Sequence, residues 1–286
     1  MIKAPTENTL DNSRQQTDEQ REKNLLPSEL MLTTMRKLYL TQQSMKQKPT
    51  NHTAFTLIEL LVVISIIAIL AGIALPVFAT AQIKAAQTKA LSNGKQIGIA
   101  LRYFADDNNG QYPSYGLING KQDVTKVITD SNTALAQLIP DQLPNEDMFW
   151  LSKSKWCSPL PPDNILDKNS PDTPVETLKA GENEWAYVLG LSVTSNPTFP
   201  LIANGFVQGG ETSHKYSVAE GEKGGVWKGK SAIVIRCDGS GAILKVNSKD
   251  LTVNGPNGGD TDGDIFSTAN AANGWLSPDQ KVVNPK

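Results

Sequence analysis

The sequence predicts an α+β protein in which one long N-terminal helix packs against a small antiparallel sheet. Three observations predict it. Residues Leu60 to Ile83 form a run of 24 residues without a charge. Apolar residues then continue at spacings of three and four toward Phe104. Far downstream, Ala232-Ile233-Val234-Ile235 and Ala242-Ile243-Leu244-Lys245-Val246 flank Asp238-Gly239-Ser240-Gly241, two β-rich runs around an Asp-Gly turn signal. The remaining chain reads as a polar globular protein, with 286 residues, 27 Lys and Arg against 29 Asp and Glu, and a net charge of -2. Without a basic excess there is no electrostatic footprint for nucleic acid. Two Cys and two His are too few for a disulfide-dense scaffold or a four-ligand Cys/His zinc module.

The uncharged run is long enough to cross a bilayer once. At about 1.5 Å per residue it covers roughly 36 Å, more than the ~30 Å hydrocarbon core. Its upstream flank, Leu30 to Ala54, carries Arg36, Lys37, Lys46 and Lys48 and no acid. The positive-inside rule places that end in the cytoplasm and the bulk of the chain outside. An ordinary secretory signal competes with this reading, because Ala79-Thr80-Ala81 has the form of a small-residue cleavage site. Two features oppose it: the apolar run exceeds a typical h-region of ~7–15 residues, and Glu59 stands at the head of the run, where a carboxylate is costly unless it has a function.

Ala54-Phe55-Thr56-Leu57-Ile58-Glu59-Leu60-Leu61-Val62-Val63 resembles the class III signal of type IV prepilins and type II secretion pseudopilins. The resemblance implies cleavage by prepilin peptidase between Ala54 and Phe55, followed by methylation of the new Phe55 amine. Counting Phe55 as first, Glu59 is fifth and Pro76 twenty-second, where members of that family carry the conserved glutamate and, in many cases, a helix-kinking proline. Two features depart from the family pattern. Ala54 stands where Gly is usual, and a leader of residues 1–54 is long, whereas a start at Met45 gives the ten-residue basic leader MKQKPTNHTA. The physical reading agrees with the resemblance. A lone Glu59 among the packed helices of a filament is an uncompensated buried charge, and pairing with the Phe55 amine of a neighbouring subunit removes that penalty and sets the axial register.

Beyond the membrane the helix is expected to continue as an amphipathic stretch over residues 84–110, with Ile83, Ala86, Ala90, Gly94, Ile97, Leu101 and Phe104 on one face. Asp106-Asp107-Asn108-Asn109-Gly110 is its stop signal. The segment Ala105 to Pro113 also resembles a run common in one large subgroup of these proteins. Residues 121–142 suggest a second, short helix with Leu135, Leu138 and Ile139 apolar. Residues 158–181 hold five prolines and read as a loop, and strand signals follow at 185–193, 201–207 and 231–246. The tail from Thr252 reads as mostly loop. The hairpin at Asp238-Gly239 resembles one that accompanies many prepilins of that subgroup, in which a His precedes the Asp by ten positions. Here Lys228 occupies that position.

Several constellations compete for chemistry. Gly224 to Ser231, GGVWKGKS, fits the phosphate-binding loop pattern, but a β-rich run follows where that loop requires a helix. His214 remains after leader removal, yet a Cys-His nucleophile pair has no supporting signature. Cys157 and Cys237 are expected to form a disulfide in the exported chain, with two separate buried thiols as the alternative. Asp260, Asp262 and Asp264 open like a calcium loop, but Ile265 and Ala271 break the pattern, and a solvated acidic turn is the alternative.

The expected organisation is a cytoplasmic leader over 1–54, a transmembrane and filament-core helix over 55–83, its amphipathic continuation over 84–110, and a globular head over 111–286. The resemblance implies a structural, non-enzymatic filament subunit of a type II secretion pseudopilus or type IV pilus. Its expected partners are prepilin peptidase, related pilin subunits and the bacterial inner membrane, with the head outside and no cofactor required. The competing reading is a secreted binding protein released after Ala81.

Overall fold

The computed structural model describes residues 56–118, 120–167, 175–207, 214–255, 263–268 and 275–286. The chain divides into two units, Met1–Ile69 and Leu70–Lys286. In the first unit the described residues are the start of helix α1, which spans Leu57–Asp107. The second unit holds the remainder of α1, a two-stranded ribbon, a short helix and a five-stranded sheet.

Helix α1 is continuous through Pro76, although proline removes one i→i−4 hydrogen bond. It stops at the predicted signal, three residues before the expected end. The Gly110 amide donates to Ala105 O at 2.8 Å, while Asn109 takes a left-handed φ of 55°. That six-to-one bond with Asn in the left-handed position is a Schellman-type cap.

The sheet contains β3 (Trp185–Leu189), β4 (Pro200–Asn204), β5 (Ser231–Arg236), β6 (Gly241–Lys245) and β7 (Lys281–Val283). The order is β6-β5-β4-β3-β7, and every pair is antiparallel. The β5–β6 hairpin forms as expected. Gly239, at φ 80°, makes the turn, and the Ser240 amide donates to Asp238 Oδ1 at 2.7 Å. All residues of β3 and β4 are buried, so the central strands read as continuous apolar runs rather than alternating ones.

The amphipathic half of α1 lies on this sheet with Ala90, Gly94, Ile97, Gly98, Ala100, Leu101, Phe104 and Ala105 buried. Glycine lets it approach. A Cβ at Gly94 would stand 2.8 Å from Trp185 Cη2 and 3.1 Å from Ile235 Cγ1. Trp185 is a rigid, fully buried ring that cannot yield. Gly94→Ala is therefore expected to destabilise the head by about 1–3 kcal/mol through overpacking, outweighing a helix-propensity gain of ~1 kcal/mol. Chemical denaturation of the two proteins checks this.

Three sequence expectations are corrected. Residues 121–127 form a strand, β2 (Lys121–Val127), paired with β1 (Tyr115–Ile118). The Asn119-Gly120 pair is a hairpin signal, and Val124, Thr125 and Val127 favour strand over helix. The helix expected in this region shrinks to α2 (Ser131–Leu135), capped by the Asp130 side chain, with a 3-10 turn over Ala136–Leu138. The tail also contributes a strand, β7, which pairs along β3. Within the described part of residues 158–181 there is no helix or strand, as the prolines predict.

Candidate functional site

Residues 1–55 lie outside the described residues, so the leader, Ala54 and Phe55 do as well. The description begins at the N-terminus of α1. There the Thr56 amide and hydroxyl both donate to Glu59 Oε2, at 2.9 and 2.7 Å, and the Glu59 amide donates back to Thr56 Oγ1 at 3.3 Å. This reciprocal arrangement is a capping box, in which side chains satisfy amides that a helix start leaves unpaired. The Thr-x-x-Glu spacing was legible in the sequence, but Glu59 was read there only as an intermolecular partner.

The apolar residues after Glu59 are exposed along all sides of the helix, with Leu60 56%, Ile69 65% and Val77 66% exposed. No residue in the most apolar window of α1 is buried. α1 is long and apolar enough to cross a membrane. Exposure on every side marks a segment whose surroundings are apolar.

The other predicted sites separate. Cys157 and Cys237 are both free and buried, so the expected bridge is not formed. The reason is their position on the sheet. Cys157 lies by Gly181 and Leu151 near the Trp185–Asn204 end, whereas Cys237 follows Arg236 at the Pro200 end, its amide bonded to Phe199 O. Four strand residues at about 3.3 Å each separate these ends by roughly 13 Å, and a bridge needs Cα atoms within about 7 Å. Burial pushes both thiols up to about 12, leaving almost no thiolate for nucleophilic attack at neutral pH.

The phosphate-loop pattern ends in strand β5, beginning at Ser231, where a helix would be needed. Lys228 takes a left-handed φ of 56° and pairs with Glu220 at 2.9 Å on the exposed surface. Asp260 and Asp262 lie outside the described residues. Asp264 spends its carboxylate on His214 Nδ1 at 2.9 Å and the Phe266 amide at 3.0 Å.

One carboxylate group was not anticipated. Glu146, Asp163 and Glu182 approach within 4.8 Å of one another. Each accepts backbone amides: Leu178 and Asn164 on Glu146, Ile165 on Asp163, and Asp163 and Lys179 on Glu182. Lys179 forms an ion pair with Asp163. Burial raises the Glu146 and Glu182 carboxyls above their ordinary range. The group thus braces the proline-rich loop. Its members span 36 positions of sequence, and no local spacing announced them.

Comparison with known proteins matches residues 50–75 to the model of the prokaryotic N-terminal methylation motif. No curated protein and no solved structure matches the chain. The match covers the leader's end, Phe55, Glu59 and the first turns of the apolar helix, and the head behind it is α+β. The chain therefore carries the prokaryotic N-terminal methylation motif at the start of a membrane-capable helix that runs into an α+β head.

Proposed function

We propose that the chain is a structural subunit of a filament of the type II secretion pseudopilus or type IV pilus kind, cut before Phe55 and methylated there by prepilin peptidase. The observation that carries this reading is the methylation motif at the head of an apolar helical stretch in whose most apolar window no residue is buried. A helix of this kind is stable in two settings, a bilayer and a bundle of like helices. A pilin-type subunit uses both in turn. The basic leader flank supports a single-pass orientation with the N-terminus in the cytoplasm and the head outside.

In the filament Glu59 meets a cation, the Phe55 amine of another subunit. The capping box is compatible with that role, because both of its bonds to the Glu59 carboxylate fall on one oxygen, Oε2. Methylation leaves the amine basic and cationic, so the pair survives it. The competing reading, release after Ala81, would sever α1 in its middle, where Thr80 Oγ1 bonds Pro76 O at 3.0 Å. N-terminal mass spectrometry of membrane-extracted protein separates the two. The expected N-terminus is methylated Phe55, and a chain beginning at Gln82 would sink the filament reading.

A further inference from the structure

Within the unit Leu70–Lys286, the head meets α1 where the apolar stretch of the helix ends. Leu75 and Phe78 are 68% and 62% exposed, whereas Ile83 already packs on the core of the head. No spacer separates the two. Lys84 is the first charge after the apolar stretch. One turn further, Gln87 Nε2 donates to Ser231 Oγ at 2.8 Å, and Ser231 pairs with Lys245 across the β5–β6 ladder. The start of β5 and the end of β6 therefore stand level with the first turns of α1 beyond that stretch. β4 runs antiparallel to β5, so residues 205–230, which connect them, begin and end at the same side of the sheet. The Val246 amide donates to Lys230 O at 3.2 Å, which holds the chain after β6 there as well.

This end is basic. Lys84, Lys89, Lys228, Lys230 and Lys245 are all exposed, and of these five only Lys228 forms an ion pair among the described residues, with Glu220. The other two acids on these loops are engaged locally: Glu222 accepts from Ser217 Oγ at 2.7 Å, and Asp250 from Asn254 Nδ2 at 3.4 Å. Residues 84–89, 215–230 and 245–250 together hold eight Lys against three acids, in a chain whose net charge is -2. Charge is thus segregated toward the apolar stretch of α1. Val218, 65% exposed, stands among these lysines: a Cβ on Gly229, between Lys228 and Lys230, would lie 3.0 Å from Val218 Cγ1. An exposed apolar side chain beside exposed lysines suits a boundary between water and an apolar phase with anionic headgroups.

We propose that this end of the head docks on a bilayer surface of anionic phospholipid, with its lysines on the headgroup phosphates and Val218 at the acyl boundary. The proposal rests on the reading of α1 as a bilayer-spanning helix. Position selects the occupant. A bilayer around the apolar stretch ends near Lys84, and Gln87 lies only about 5 Å further along the helix at ~1.5 Å per residue, so the headgroup layer comes up against the lysines. Each lysine beside an anionic surface shifts the balance toward contact by about fivefold, and salt screens the attraction. Drawing the subunit out of the membrane then requires lifting these lysines off the headgroups.

Val218→Cys supplies a single reactive thiol for the test, because Cys157 and Cys237 are buried and their thiols are pushed up to about 12. The full chain, labelled there with a fluorophore, is reconstituted in vesicles of phosphatidylcholine alone or with about one third phosphatidylglycerol. Quenching by a lipid spin-labelled at its headgroup is read. The expected result is quenching about threefold or more stronger with the anionic lipid, lost at about 1 M NaCl, where the screening length is ~3 Å. A label at Asp107→Cys, about 35 Å beyond Lys84 along α1, stays unquenched in both. Lys230→Glu combined with Lys245→Glu, both at exposed positions, is expected to bring the Val218 signal down to its phosphatidylcholine level while the chain still floats with the vesicles. A chain that floats with neither vesicle overturns the membrane reading of α1 and the docking with it. A chain that floats, but shows equal quenching in the two lipids or no response to the lysine pair, overturns the docking alone.

Discussion

On the proposed filament reading, Glu59→Val is expected to cut incorporation into filaments sharply while leaving expression, membrane insertion and cleavage between Ala54 and Phe55 largely intact. Two effects of different size are removed by this substitution. The first is the capping box with Thr56, worth about 1 kcal/mol at a helix start. A helix of 51 residues tolerates that loss, and the basic flank and scissile bond are unchanged. The second is the proposed ion pair with the Phe55 amine of a neighbouring subunit. Removing one partner of a buried pair costs roughly 3–5 kcal/mol, and the loss recurs at every subunit added. Thr56→Val separates the two, since it removes the hydroxyl of the box and keeps the carboxylate, and it is expected to assemble. Glu59→Asp is expected to fall between, because its shorter side chain keeps the charge and loses reach. The measurement is fractionation of sheared filaments beside an immunoblot of membranes. Wild-type assembly by Glu59→Val would remove Glu59 from the register mechanism. Failure of cleavage would assign the residue to peptidase recognition instead.

The head is expected to lose stability as pH rises from about 5 to 8, and Glu184→Gln to remove most of that loss. Glu184 is fully buried, and burial pushes its carboxyl up to about 8. Ser154 Oγ and Asn204 Nδ2 bond its two oxygens. Asn204 Oδ1 in turn accepts from Trp227 Nε1 at 2.9 Å and the Ile233 amide at 2.8 Å. No cation belongs to this network, so the folded chain holds Glu184 protonated at neutral pH. The unfolded chain releases the proton near the ordinary value of 4.5. Between these two values the folded state binds more protons, and stability falls as pH rises. Below about 4.5 the contribution is complete, and above about 8 the loss levels off. The size is on the order of a few kcal/mol. A glutamine amide donates to Ser154 and accepts from Asn204 without titrating. Glu146 and Glu182 bias stability in the same sense, so the readout is the difference between wild type and Glu184→Gln. Denaturation midpoints followed by near-ultraviolet circular dichroism should agree near pH 5 and diverge toward pH 8.5. A gap that stays constant with pH would refute the assignment.

Much of the architecture was legible because it is written in short-range patterns. The uncharged run, the spacing from Ile83 to Phe104 and the Asp-Asn-Gly stop each lie within a few helical turns. Each predicts its element without knowledge of the rest of the chain. The Asp238-Gly239 turn likewise forms with the strands that flank it. The same locality made the Thr56-x-x-Glu59 box readable in principle.

By itself the sequence determined the long helix, its motif, its membrane-capable half and the β5–β6 hairpin, since period and turn chemistry act over a handful of residues. Only the tertiary structure decided the rest. Residues 121–127 became a strand because Tyr115–Ile118 lay beside them to pair, and Lys281–Val283 became a strand because the edge of β3 was open. Cys157 and Cys237 are kept apart by the register of β3, β4 and β5. The Glu184 network and the His214–Asp264 pair join residues 20 to 50 positions apart. The energy that holds such groups comes from burial, which depends on what covers them, and a linear pattern does not record that covering.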